Sequence, residues 1–174
     1  HGIAAERIEY IHHLNESGDT EGLAEVLSTE GHSLVRAGHT ELLGILRPLE
    51  GQSFDPQSWC IIRELRGDIL SIQGRWDEAE AEYEAAIPLA RKHKMPQELS
   101  RLLSARADIA VKRGAMDDAL EMHRKSLEIQ VPMRDAVGAA RSYNNMGYIY
   151  RRRKDNRRAL EVYGNVEELL EQVD

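Results

Sequence analysis

Gly74-Arg75-Trp76-Asp77-Glu78-Ala79 decides the fold, because it returns forty residues later as Gly114-Ala115-Met116-Asp117-Asp118-Ala119 and again as Lys154-Asp155-Asn156-Arg157-Arg158-Ala159. A repeat of this length marks stacked helical hairpins, since one hairpin cannot bury its own apolar face and needs a neighbour. The period extends outward from the turn. Seven residues before each turn position stand Gly67, Ala107 and Gly147, and five before it Ile69, Ile109 and Ile149. Five residues after it come Ala79, Ala119 and Ala159, and one helical turn further Tyr83, His123 and Tyr163. Small residues let two helix backbones approach closely, and the ring one turn along fills the space beside the crossing. The columns read as a packing code.

The order of small residue, turn glycine, Asp/Glu-Ala and aromatic resembles the tetratricopeptide repeat family over about residues 56–174. Arg63 and Leu103 stand where that family usually has tryptophan, with Tyr143 nearest to its pattern, and Lys154 replaces the third turn glycine. The family's common repeat is 34 residues, so about six are added per repeat, roughly 9 Å of helix at 1.5 Å per residue. The fold expected is all-α: a right-handed superhelical solenoid of antiparallel helix pairs with repeats at about 56–95, 96–135 and 136–174.

Spacing and punctuation predict helices over about 56–73, 76–93, 96–113, 116–130, 135–153 and 156–172. Asp55-Pro56 reads as an N-cap followed by proline at the first helical position, and Pro96 recurs forty residues later. Pro88 falls inside the second helix, where its missing N–H predicts a kink or an early end. Residues 49–58 read as a linker, separating an N-terminal region 1–54 from the repeats of 55–174 within one continuous solenoid.

Before that linker, periodic helices over Ile3–Leu14 and Leu23–Val35, with a third short helix at Leu42–Leu46, stop at Gly18 and Gly38, twenty residues apart. This hairpin region resembles, over about residues 5–90, the helical arm of signal-transduction ATPases of the STAND class, including MalT-like regulators. That resemblance implies a sensor arm following a nucleotide-binding switch. No G-x-x-x-x-G-K-[ST] or G-x-G-x-x-G is present, so any ATPase activity would belong to residues outside this sequence.

The 174 residues, 41% hydrophobic and 30% charged, suffice for a continuous core in one elongated domain. Cys60 is a single cysteine, which excludes an internal disulfide and reads as packing. No apolar run is long enough for a signal h-region or membrane span. The expectation is a cytoplasmic chain without membrane contact, and its start at His1 together with an end straight after the third hairpin reads as a piece of a longer protein.

The tetratricopeptide resemblance implies that ligands lie on a concave surface formed by the first helix of each pair. Its columns fall here on Glu64 and Asp68, on Arg101, Ser104, Asp108 and Lys112, and on Arg141, Asn144, Asn145, Tyr148, Arg151 and Arg152. This set runs from acidic to basic. Asn144 and Asn145 could grip a peptide backbone, since an amide both donates and accepts; inter-helix hydrogen bonding or solvent exposure is the other reading. Under the first reading Asn145→Ala weakens binding and leaves stability nearly unchanged. Family members that bind chaperone C-termini use lysine, arginine and asparagine on these helices, and Glu64 and Asp68 speak against that ligand.

Net charge is −7, with 10 acidic and 3 basic residues in positions 1–59. This balance argues against nucleic acid as the main ligand. Arg151, Arg152, Arg153, Lys154, Arg157 and Arg158 form a local exception, read first as a solvated turn complementing a helix dipole. Adjacent His12 and His13 point about 100° apart on a helix, and with His32 and His39 elsewhere no zinc site is read and no cofactor is implied. Asp77 to Glu82 places carboxylates near a helix N-terminus, where they stabilise it. No nucleophile, base and orienting residue fall at a productive spacing, so no catalysis is expected. The reading is a non-catalytic scaffold that binds a protein or peptide, including other domains of its own full-length chain, as the regulatory arm of a larger signalling protein. The alternatives are a small-molecule-sensing module of a STAND-type regulator and, third, RNA binding through residues 151–158.

Overall fold

The computed structural model describes residues 2–171, and among them every regular element is helical. The chain forms two compact units, His1–His93 and Lys94–Asp174. The first contains α1 (Gly2–Ser17), α2 (Thr20–Val26), a π-helical turn at Leu27–Gly31, α3 (His32–Arg36), α4 (Leu42–Leu46) with a 3-10 turn at Arg47–Leu49, α5 (Pro56–Ile72) and α6 (Trp76–Lys92). The second contains α7 (Pro96–Lys112), α8 (Met116–Gln130), α9 (Ala136–Arg152) and α10 (Asn156–Glu171). The repeat helices fall within a residue or so of the expected bounds. The first hairpin, α5–α6, groups with the N-terminal helices.

The added residues per repeat lie in the helices. α5, α6, α7 and α9 each run 17 residues. Asp55 caps α5 as expected, accepting from the backbone N–H of Gln57 at 2.8 Å and of Ser58 at 3.1 Å. Asp135 does the same for α9 through the N–H of Gly138 at 2.9 Å.

Each helix of the repeats that meets a tight turn ends on one backbone device. Residues 74, 94, 114, 134 and 154 all take positive φ, at 76°, 55°, 81°, 57° and 60°. At Gly74 the N–H bonds Ser71 O and the next N–H, of Arg75, bonds Leu70 O; Lys154 and Asp155 repeat this on Arg151 O and Tyr150 O. The same pair of bonds closes the helix ends at Gly114 and Arg134, and two orphan carbonyls are satisfied at each of these four ends. Glycine takes this conformation without cost, whereas Lys94, Arg134 and Lys154 hold it at about 1 kcal/mol each. Gly18 and Gly38, at φ of 73° and 95°, show the same twenty-residue spacing, which is interrupted between Gly38 and Gly74.

Pro88 neither ends nor shortens α6, which continues to Lys92. Pro88 is exposed, on the solvent side of the helix.

Packing inside each hairpin follows the expected columns. A Cβ built on Gly67 would stand 2.3 Å from Tyr83 Cε1, and one on Gly147 would stand 2.3 Å from Tyr163 Cε1. In the middle repeat the small residue is Ala107 and the ring opposite is the smaller imidazole of His123, both fully buried. Ala79 and Ala119 are completely buried and Ala159 nearly so, at the same crossings.

Two devices attach the N-terminal helices to α5. Gly31 is buried, and a Cβ there would meet Leu65 Cδ1 at 2.6 Å, so the π-helical turn approaches α5 closely only because it ends on glycine. Arg66, 1% exposed, reaches from α5 to the end of α4, where Nε donates to Leu46 O at 3.0 Å and Nη2 donates to Leu46 O at 2.5 Å and Arg47 O at 3.1 Å. Glu50 and Glu82 flank Nη1 at 3.3 and 3.5 Å. A buried guanidinium thus caps the carbonyl end of a helix.

Candidate functional site

The second unit carries a continuous polar face on α7 and α9. Asp108 and Lys112 lie one turn apart on α7; Arg141, Asn145, Tyr148 and Arg152 follow one helical stripe of α9. Asn145 Nδ2 donates to Asp108 Oδ1 at 2.7 Å, which sets the two stripes side by side. Lys112 and Arg141 both act on the Asp108 carboxylate, which burial nonetheless pushes up to about 6. Nearly half of that side chain, 46%, stays open, so solvent moderates the effect. Tyr148 is 45% exposed and Arg152 Nη1 donates to its hydroxyl at 3.0 Å, with the guanidinium 5.8 Å from the ring centroid. Asn144, Arg141 and Arg151 are exposed, and Arg101 is half-buried.

Three sequence-derived residues do not stand on an open face. Ser104 is buried in a hydroxyl chain: Ser126 Oγ donates to Ser100 O at 2.8 Å and Ser142 Oγ to Gln130 Oε1 at 2.9 Å. With those protons used, Ser104 is the donor to Ser126 Oγ at 2.8 Å, and it lies 3.4 Å from Ser142 Oγ. Ser104 therefore joins α7, α8 and α9 and is closed to a ligand. Glu64, in the equivalent column, is buried because His32 covers it, with Nε2 3.0 Å from Glu64 Oε1. Asp68 is half-buried and accepts from Tyr83 Oη at 2.7 Å. Groove columns carried over from a family pattern assume that each repeat faces open space, and α3 and α9 fill that space at Glu64 and Ser104.

Asn145 takes the inter-helix hydrogen bond that was one of its two readings, while Asn144 keeps a solvent-facing amide. The basic cluster at 151–158 is partly engaged within its own unit. Arg153 Nη1 lies 2.8 Å from Asp117 Oδ1, and Arg158 lies over the Tyr150 ring at 5.9 Å. His12 and His13 are exposed, each near Glu16 at 3.5 and 3.8 Å. Cys60 is buried against Ala86 O at 3.8 Å.

Sequence reading looked for a metal site among histidines alone. The fold places His32 beside Glu64 and Asp68, with one ligand atom from each residue within 4.8 Å of the others. The signal for this set is absent from local sequence, because α5 supplies two ligands and the distant α3 the third. Charge also divides by unit: His1–His93 holds 17 acidic and 8 basic side chains, net −9, and Lys94–Asp174 holds 13 and 15, net +2.

These hairpins, with their small-residue and ring crossings, define a tandem helical-repeat protein. A tetratricopeptide repeat profile matches residues 60–130 and 98–172, and the chain belongs to that family. Such repeats generally mediate protein–protein interaction and are typically non-catalytic. No curated protein sequence matches the chain. Among solved structures, BtubC (BKLC) from P. vanneervenii is similar in fold, with a TM-score of 0.77 at 18% identity over 98% of this chain and 72% of that one. No helix among the described residues is long and apolar enough to cross a membrane.

Proposed function

We propose that the α7–α9 face binds an acidic peptide or an acidic protein segment, and that the chain works as a non-catalytic, cytoplasmic scaffold within a larger regulatory protein. The observation that carries this reading is the arrangement of Arg141, Arg151 and Arg152 around exposed Asn144 and Tyr148 on one helix, in the unit whose net charge is positive. Tyrosine offers a large contact surface at small entropic cost, and arginine forks match carboxylates in a bidentate way. Asn145, held by Asp108, keeps the two helices in register beneath that surface and belongs to the support of the face.

Electrostatic complementarity of this kind steers association and weakens with salt. Fluorescence anisotropy titrations of the chain with Asp/Glu-rich and Lys-rich peptides test the reading. Acidic peptides are expected to bind, more weakly at high salt, and to lose affinity about tenfold or more in Arg141→Ala/Asn144→Ala/Tyr148→Ala. Equal binding of acidic and basic peptides, or equal affinity of the triple variant, contradicts it.

A further inference from the structure

We infer that His32, Glu64 and Asp68 form a site for a divalent transition-metal ion of the zinc class, at the junction of α3 and α5. One imidazole and two carboxylates offer nitrogen and oxygen donors of the kind that bind zinc and its neighbours, and their ligand atoms already lie within 4.8 Å of one another. Around a tetrahedral ion with bonds of about 2.0–2.2 Å, ligand atoms stand roughly 3.3–3.6 Å apart. His32 Nε2 and Glu64 Oε1, at 3.0 Å, are near that spacing. Asp68 offers the third ligand atom, within 4.8 Å of the other two.

The pair does not look like an ordinary hydrogen bond. His32 Nε2 is shut off from solvent and makes no hydrogen bond, so its 3.0 Å approach to Glu64 is out of line. A nitrogen and a carboxylate oxygen close together but misaligned suit an ion that both address. Glu64 is 4% exposed at its side chain and His32 24%, so the carboxylate lies inside and part of the imidazole borders solvent.

The supports are in place as well. Glu64 and Asp68 are one turn apart on α5 and share its face. Gly31, which admits no Cβ against Leu65, is what lets the next residue, His32, approach that face. Tyr83 Oη, donating to Asp68 Oδ1 at 2.7 Å, orients the carboxylate as an outer-shell partner does in metal sites. The surrounding unit carries net −9, which raises the local cation concentration.

The test is isothermal titration of the chelator-treated full chain with Zn²⁺ alone, beside Co²⁺ titration followed by visible absorption. One equivalent of Zn²⁺ is expected, together with the d–d bands of nitrogen and oxygen-ligated Co²⁺. His32→Gln and Asp68→Asn, each checked for native circular dichroism, are expected to abolish both signals, and Tyr83→Phe to weaken binding about tenfold. His12→Ala/His13→Ala is expected to leave both unchanged. Absence of Zn²⁺ uptake by the wild type, equal uptake by the His32 and Asp68 variants, or loss of uptake in the His12/His13 variant would overturn the site.

Discussion

The ring of Tyr83 occupies the space that a Cβ on Gly67 would need, 2.3 Å from Cε1, and the same distance separates Gly147 from Tyr163. The middle repeat solves the identical crossing with Ala107 and His123. Small residue and ring therefore vary together, the larger ring with no Cβ and the smaller ring with one.

Gly67→Ala is expected to lose about 1–2 kcal/mol of stability, since overpacking exceeds the helix-propensity gain of alanine. Gly67→Ala/Tyr83→His, which copies the middle pair, is expected to lose less than the sum of the two single changes. Urea unfolding of the double-mutant cycle measures this coupling, and strict additivity would contradict a shared crossing.

His123 introduces pH dependence. Its ring is 0% exposed, neither nitrogen has a hydrogen-bond partner, and burial lowers its pKa to about 4. The unfolded chain then binds the proton more tightly, so this contribution is present above about pH 6.5 and is lost as pH falls toward 4. Between pH 7 and pH 5 the loss is about 2 kcal/mol. Asp108 acts in the opposite sense: its raised pKa, about 6, gives stability below its ordinary 3.8 that is lost as pH rises through 6. Screening at a half-open carboxylate keeps this offset the smaller. Urea midpoints are expected to fall on acidification in the wild type, to fall further in Asp108→Asn, and to stop falling in Ala107→Gly/His123→Tyr.

Arg66 is expected to be the most costly charged residue to truncate in the first unit. Arg66→Met leaves Leu46 O and Arg47 O without their buried donor, while Glu82 keeps Arg63 at 2.9 Å, a loss of about 3 kcal/mol. Arg66→Lys retains the charge but not the fork, and is expected to recover part of it. Thermal and urea unfolding by circular dichroism check the order wild type, Lys, Met.

Helix bounds, turns, the Asp55 cap and the small-residue and ring crossings were legible because each rests on local chemistry, and the turns and crossings recur at forty residues. The site was legible only in part. A forty-residue column says which positions are equivalent, but exposure depends on what packs over each copy: His32 over Glu64, Ser142 beside Ser104, open solvent at Asn144. The early helix end that Pro88 allowed does not occur, since the proline falls on an exposed position and α6 continues to Lys92. Arg66 left no trace in the sequence pattern, because its partners are backbone carbonyls about twenty residues away.

Asn145→Ala is expected to cost about 1–2 kcal/mol, because it removes the donor to Asp108 and leaves a carboxylate that burial already disfavours. That differs from the near-neutral effect expected from sequence alone. Asn144→Ala, exposed and one residue away, is expected to leave the urea midpoint within about 0.5 kcal/mol of wild type.

The α7–α9 face is tested most directly by amide chemical-shift mapping of the ¹⁵N-labelled chain titrated with an acidic peptide. The account predicts that the largest changes fall on Arg141, Asn144, Tyr148, Arg151 and Arg152, with the crossing residues Ala107 and His123 little moved. Changes centred instead on α10 or on the first unit would contradict it.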